Sequence, residues 1–442
     1  MLLELKLKNY KSFYNETIIS MIAENGKQEY KERLIEVQNN IKKNVLPAMV
    51  IYGGNASGKT SIISALNLIK QIVINGTIKK QINNKEITKI EISSFIHEMK
   101  KYKEPILLEV KFKTDLNIYN YVLEIFANYI QNTRKIVKEE LNIINYVKDG
   151  SSVKEKVLNL YTRKEDSIIL NNSDELMKVY EKDISYSNEI KSLEKTFSDN
   201  LDKEDLFLTT GFKSMINLKI ETDIIQWFQN KLVTIVDFYN NEPILKFNNV
   251  SEEKGNVYRS RSIDRLIKKA DFGPQDMGYI KENNSEQYAL CSFYKLKGSK
   301  EGIIINSKNI ESKGTIKLID FWISFRKYFD NGGIFVLDEF DSSIHPELIG
   351  GIIDLFNNPD INKNNAQLIF NTHNPLFLQK RFFRRDQIMF VEKDSETYIS
   401  SVYKLSDYDV RNDVNYMKNY FEGNFGALPF IDFESVLDEG DE

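Results

Sequence analysis

The chain has 442 residues, 41% of them hydrophobic and 28% charged, with 60 basic against 64 acidic side chains and a formal net charge of −4. This composition suits a folded chain of two or three domains, and it excludes a polycationic nucleic-acid binder, so any such surface must be a local patch. Cys291 is the only cysteine, which excludes an internal disulfide or a cysteine metal cluster and fits a reducing cytoplasm.

In chain order, "LLELKLKNYKSF" alternates apolar and polar residues and reads as a first strand. The start has no apolar core of signal-peptide length. "AMVIY", 48–52, is a short apolar run that suits a buried parallel strand. Ile62, Ile63, Ala65, Leu66, Ile69, Ile72 and Val73 then fall at helical spacing, and Gly76 stops that helix. "PILLEVKF" and "NYVLEIFANYI" predict antiparallel strands between 105 and 130. From 131 to 290 the text is polar and Lys/Glu/Asn-rich and reads as mostly helical, with "IIQWFQNKLVTIVDF" and "SIDRLIKKADF" as the clearest helices. It shows no sustained heptads. A helix, "TIKLIDFWISFRKYF", then leads into three apolar strands, "GIFVL", "AQLIF" and "QIMFV". Strands alternating with helices predict an α/β domain around a parallel sheet. The acidic tail "FESVLDEGDE" is expected to fray. No run of about 18 apolar residues exists, so no membrane span is expected.

Gly53-Gly54-Asn55-Ala56-Ser57-Gly58-Lys59-Thr60 matches G-x-x-x-x-G-K-[ST], with a strand before and a helix after. Glycines let backbone N–H groups turn around a phosphate, and the helix N-terminus adds its positive end. Lys59 would reach the β/γ-phosphates of ATP and the Thr60 hydroxyl would hold Mg²⁺. Gly53, Asn55, Ser57, Gly58, Lys59, Thr60 and Ser61 are therefore the nucleotide-binding candidates. A hydrophobic strand ends in Asp338-Glu339. Asp338 is placed for Mg²⁺ and Glu339 for polarising the attacking water. His373, in "LIFNTHNP", follows another apolar strand and could sense the γ-phosphate. Roughly 280 residues separate Lys59 from Asp338, more than a compact nucleotide domain needs, so the domain is split by an insertion. The expected division is 1–150 for the first half with a β-lobe, 151–290 for the helical insertion and 291–442 for the second half.

With these motifs on hand, the sequence resembles the ABC-type ATPase heads of the RecF, SMC and OLD kind. Within them it is most similar to the AAA-type ATPases of bacterial phage-defence operons, the AbiLi/RloA/AriA-like group. The carrying pieces are "LKNYKSF", "GGNASGKTS", "ESKGTIKL", "VLDEFDSSIHPEL", "IFNTHNP" and the run from "RRDQIMFVEKD" to "YFEGNFGALPF". The resemblance implies a P-loop head with a mixed sheet and an antiparallel β-lobe, acting as a homodimer or higher oligomer. By the same resemblance, Lys11 and Ser12 lie against the nucleotide. Ser312 and Gly314 form the signature that caps the γ-phosphate held by the other subunit. Ser342, Ser343 and His345 belong to the loop crossing the dimer seam. The Q-loop glutamine has no match in "SSFIHEMKKYKEP", where His97 or a nearby polar group would have to substitute.

Weaker signals point elsewhere. "QKRFFRRD", 379–386, interleaves basic residues with two Phe, a pattern of phosphate contact, although a Phe pair packed on the sheet explains it better. "FVEKDSE" with "DYD" imitates a TOPRIM nuclease, but the spacing is too short for that fold. Three histidines leave little material for a histidine-metal nuclease. Three functions stay open at this stage. The first is an ATP-driven dimeric switch in defence, controlling a separately encoded nuclease or toxin. The second is a RecF-like ATPase with DNA as its partner. The third is a nucleotide-gated scaffold with little turnover.

Overall fold

A computed structural model describes residues 1–24, 30–38, 41, 43–79, 81–83, 86–88, 91–98, 104–128, 133–149, 152–171, 187–236, 257–258, 261–269, 273–274, 276–281, 288–298, 302–409 and 414–428. The acidic tail lies outside them.

The chain opens with β1 (Leu2–Lys8) and β2 (Thr17–Ser20), paired antiparallel. After β3 (Ala48–Tyr52) the glycine loop leads straight into helix α1 (Lys59–Asn75). Gly76 ends this helix with φ 70°, its N–H reaching back to Ile72 O. Such a left-handed C-cap favours glycine because no Cβ crowds the turn. Strands β4 (Ile106–Lys113), β5 (Ile118–Asn128), β6 (Thr133–Asp149), β7 (Ser152–Lys164) and β8 (Ser167–Leu170) follow as an antiparallel meander. With β1 and β2 they form a seven-stranded lobe in the order β8-β7-β6-β5-β4-β1-β2. Helices α2 (Ser187–Asn200) and α3 (Leu218–Gln226) come next. A π-helical turn at Trp227–Lys231 then leads into β9 (Leu232–Ile235).

After α4 (Arg261–Lys269), strands β10 (Asp276–Lys281), β11 (Tyr288–Lys295) and β12 (Gly302–Asn306) pair with Val257–Tyr258 in a small antiparallel sheet. The chain then alternates through α5 (Lys313–Phe329), β13 (Ile334–Leu337), α6 (Pro346–Asn357), β14 (Gln367–Asn371), β15 (Ile388–Lys393), β16 (Ser400–Lys404) and α7 (Tyr416–Phe421). The second large sheet runs β9-β13-β14-β3-β15-β16 and is parallel except for β16. The fold is α/β: a mixed sheet that carries the glycine loop beside an antiparallel lobe.

The apolar strands are buried on both faces because helices cover both sides of the sheet. Met49 and Ile51 of β3 point into one core with α1 and the lobe. Ala48, Val50 and Tyr52 point into the other, with α5, α6 and α7. Ile334 and Val336 against Phe335 and Leu337 repeat the alternation in β13. Gln367 is fully buried and ties the sheet to the lobe: its amide accepts from Leu2 N at 2.7 Å and donates to Leu2 O and Leu46 O.

One expectation is corrected. Residues 131–290 are not mostly helical among those described. β6 and β7 form a long hairpin that extends the lobe and crosses the expected boundary at 150. Leu141, Ile143 and Tyr161 face the core, where Glu139 and Arg163 are also buried, while the other charged residues described there are at least partly exposed. Residues 232–235, read as part of a helix, pair parallel with β13 in the nucleotide sheet. SIDRLIKKADF is helical, as α4. Among the described residues no helix is long and apolar enough to cross a membrane.

Candidate functional site

The parallel strands all end on one side of the sheet, where loops can gather over the N-terminus of α1. The loop between β3 and α1 is tightly held. At Gly53 a Cβ would stand 2.3 Å from Val391 O, and at Gly58 (φ 117°) it would meet Ser12 Oγ at 2.7 Å. Neither position can take a side chain without moving its neighbours. Ser400 Oγ donates to Ser57 O at 2.5 Å, and Ser400 N donates to Ser12 O at 2.8 Å. The "NYKSF" turn, with Lys11 at φ 50°, is therefore clamped against the loop by β16.

Lys59 is buried, and its ammonium donates to the carbonyls of Gly53 (2.8 Å) and Gly54 (2.7 Å). Burial pulls it down to about 8, while the nearby charges of Asp338 and Glu339 act the other way. Thr60 Oγ1 donates to Asp338 Oδ1 at 3.1 Å. Burial raises the Asp338 carboxyl above its ordinary range, and the bonds from Asn371 and Thr60 oppose that. Glu339, one residue on, is exposed and sits at φ 45°. His373 stands on the rim. Loss of solvent lowers it first, then the Lys59 charge, while Glu339 and Asp341 push back. Lys59, Thr60, Asp338, Glu339 and His373 are thus brought together from three separate stretches of chain. A buried lysine beside hard oxygen donors, a hydroxyl and a carboxylate, fits a phosphate chain with Mg²⁺.

A cavity of about 660 Å³ opens beside this cluster. Lys11, Ser12, Ser57, Gly58, Lys59, Thr60 and Ser61 line it, together with His97. His97 stacks on Tyr398 with ring centroids 4.6 Å apart and the planes 20° from parallel. Asn55 is exposed at the turn of the loop.

The signature candidates lie elsewhere in the same chain. Ser312 is exposed and caps α5, its Oγ accepting from Thr315 N at 3.0 Å. Gly314 is buried against the loop after β13, where a Cβ would stand 1.8 Å from Ser343 O. Lys317 Nζ donates to Glu339 O (2.7 Å) and Ser342 O (3.2 Å), fastening α5 to that loop. Ser343 takes φ 68°, and His345 Nδ1 accepts from Glu347 N at the start of α6.

Several of these contacts escape sequence reading. Asn371 within "IFNTHNP", Lys317 within "ESKGTIKL" and Ser400 within the run 384–430 stand at positions to which no motif assigned a role. The basic run 379–386 proves structural: Phe382 and Phe383 are core, and Arg384 makes a buried bidentate pair with Asp386, both bonds 2.9 Å. Asp407 accepts from Lys404 N within its own turn, and no metal-binding cluster of His, Cys, Asp or Glu forms among the described residues. Tyr420, Phe425 and Ala427 of the "YFEGNFGALPF" segment pack on the head.

No curated protein matches the chain. Solved structures similar to it include an SMC head bound to the C-winged helix domain of ScpA (11% identity, 91% of this chain and 97% of that one, TM-score 0.38). The SMC head domain from Thermotoga maritima is another (13% identity, 91% and 98%, TM-score 0.36). A third is an Smc head with an extended coiled coil bound to the C-terminal domain of ScpA derived from Pyrococcus furiosus (14% identity, 91% and 96%, TM-score 0.35). A family model matches residues 48–379, from the first strand of the nucleotide sheet past His373. The chain belongs to the family described as "AAA domain, putative AbiEii toxin, Type IV TA system".

Proposed function

We propose that this protein binds and hydrolyses ATP as a dimeric switch of a bacterial anti-phage system and controls a separately encoded effector. The observation that carries the enzymatic half is the cluster itself: Lys59 over the glycine loop, Thr60 bonded to Asp338, and Glu339 exposed beside them. Backbone N–H groups and Lys59 hold the phosphates. Thr60 and Asp338 would hold Mg²⁺, which supplies charge neutralisation on the phosphate oxygens. Glu339 orients the attacking water and accepts its proton, and His373 reads the γ-phosphate from the rim.

The family description, with its putative toxin of a type IV toxin–antitoxin system, supports placement in defence. The likeness of motif order to defence ATPases supports it as well. The chain's own groups supply ATP-dependent change of shape, which matters when a partner is held or released by it. Turnover by purified protein is the first test: wild type should hydrolyse ATP in Mg²⁺, and Glu339→Gln should bind it and lose at least about a hundredfold in rate. The second test expresses the chain in cells challenged with phage. Protection is expected only with the neighbouring gene, and full protection by this chain alone would overturn the effector half of the reading.

A further inference from the structure

Asn371 closes β14, is 1% exposed, and lies within "IFNTHNP" at a position to which the motif assigns no role. Its side-chain amide faces two partners on the neighbouring strand end. Nδ2 donates to Asp338 Oδ1, and Oδ1 accepts from the backbone N–H of Glu339 at 2.6 Å. The orientation is chemically forced: a carboxylate oxygen can only accept and an N–H can only donate. No other side chain of this size offers a donor and an acceptor about two ångströms apart. Asp would turn its acceptor on Asp338, Leu would satisfy neither, and Ser would be too short to span both.

Glu339 has φ 45°, in the left-handed region that a residue with a Cβ avoids at a cost of about 1 kcal/mol or more. Its N–H is held by Asn371 and its C=O by Lys317. The peptide that aims the Glu339 carboxylate is therefore pinned from both sides. One of those pins lies at the end of β14, two residues before His373. Thr372 in turn donates to Asp341 Oδ2 at 2.6 Å, so the 371–373 segment grips the loop after β13 at two points.

We infer that Asn371 is a positioning residue for hydrolysis: it holds Asp338 and the Glu339 backbone in one register and links them to the segment that carries His373. This rests on the ATPase reading above. It predicts a defect in turnover with binding preserved, because the phosphate contacts of Lys59 and the glycine loop do not pass through Asn371.

The test compares wild type, Glu339→Gln, Asn371→Leu and the isosteric Asn371→Asp for melting temperature, ATP affinity by titration and single-turnover hydrolysis. Asn371→Leu should lose roughly 30-fold or more in rate, since a misaim of an ångström costs on that order, with ATP affinity within about threefold of wild type. Asn371→Asp keeps the acceptor for Glu339 N but sets a second carboxylate on Asp338. It should require more Mg²⁺ for half-maximal rate, a shift that a purely structural role would not produce. If Asn371→Leu fails to fold, that Mg²⁺ shift in Asn371→Asp decides, and its absence overturns the inference. Turnover abolished by Glu339→Gln but within about threefold of wild type in Asn371→Leu overturns the inference alone. Turnover that survives Glu339→Gln removes Glu339 as the water-orienting group and overturns this inference with it, whereas absence of turnover in wild type overturns the ATPase reading.

Discussion

Thr60 Oγ1 donates to Asp338 Oδ1 at 3.1 Å although 278 positions separate the two in sequence. The first turn of α1 and the end of β13 are thereby fixed as one site, and Lys59 sits beside that joint with its ammonium on the loop carbonyls. Replacing Lys59 by Ala removes the ammonium that sits on the carbonyls of the glycine loop. ATP affinity should fall by roughly tenfold or more, as for loss of a charge-assisted bond, measured by titration with a fluorescent analogue. Secondary structure by circular dichroism should be unchanged, and wild-type affinity in the variant would rule out the loop as the phosphate site.

The composite-site model is tested best at Ser312. Gly314 is unsuited, because any side chain there collides with Ser343 O inside its own subunit. Ser312 is exposed, so Ser312→Arg adds bulk toward a partner while losing one helix cap, worth about 1 kcal/mol. Lys59→Ala and Ser312→Arg proteins should each be inactive alone. Mixed in equal amounts they should recover about a quarter of wild-type turnover, since half the dimers are mixed and each holds one intact site. No recovery from a pair shown to assemble would refute a site shared between subunits.

Lys70, on α1, is pulled down to about 8 by burial, and its ammonium donates to Leu232 O at 2.5 Å. Its value in the unfolded chain is near 10.5, so between pH 8 and 10.5 the unfolded state binds the extra proton. The Lys70 contribution to stability must therefore rise with pH across that window. Melting curves of wild type and Lys70→Met should converge as pH is raised from 8 to 10. A gap that stays constant would show that Lys70 is not desolvated.

Asp386 and Arg384 are 0% and 1% exposed at the side chain, and Asp386 Oδ2 also accepts from Glu24 N at 3.1 Å. Asp386→Ala removes the carboxylate that pairs with a buried guanidinium and should cost about 3–5 kcal/mol in denaturant unfolding. The basic run is then a brace between the head and the N-terminal segment. Loss of less than about 1 kcal/mol would reopen it as a ligand surface.

What the sequence determined by itself is local. The glycine loop between β3 and α1 is legible because strand, turn and helix are contiguous, and because Gly53 and Gly58 stand where no Cβ fits. The apolar runs 48–52, 334–337 and 368–370 announce themselves because both faces are buried, so no polar side chain interrupts them. Asp338, Glu339 and His373 follow from standing at the ends of such runs. The tertiary structure decided what depends on distant partners. β6 and β7 are rich in Lys and Glu and look helical in isolation; pairing with β5 and with each other makes them strands, since strand preference is set largely by cross-strand neighbours. Leu232–Ile235 has the same apolar character as the helix before it, and only the open edge of β13 makes it a sheet strand. The bonds of Asn371 to Asp338 and Glu339, and the contact of Gly314 with Ser343, join residues about 30 apart through the sheet. Neither pairing leaves a periodic trace in the chain, because each is one side chain meeting one backbone group that folding alone brings within reach.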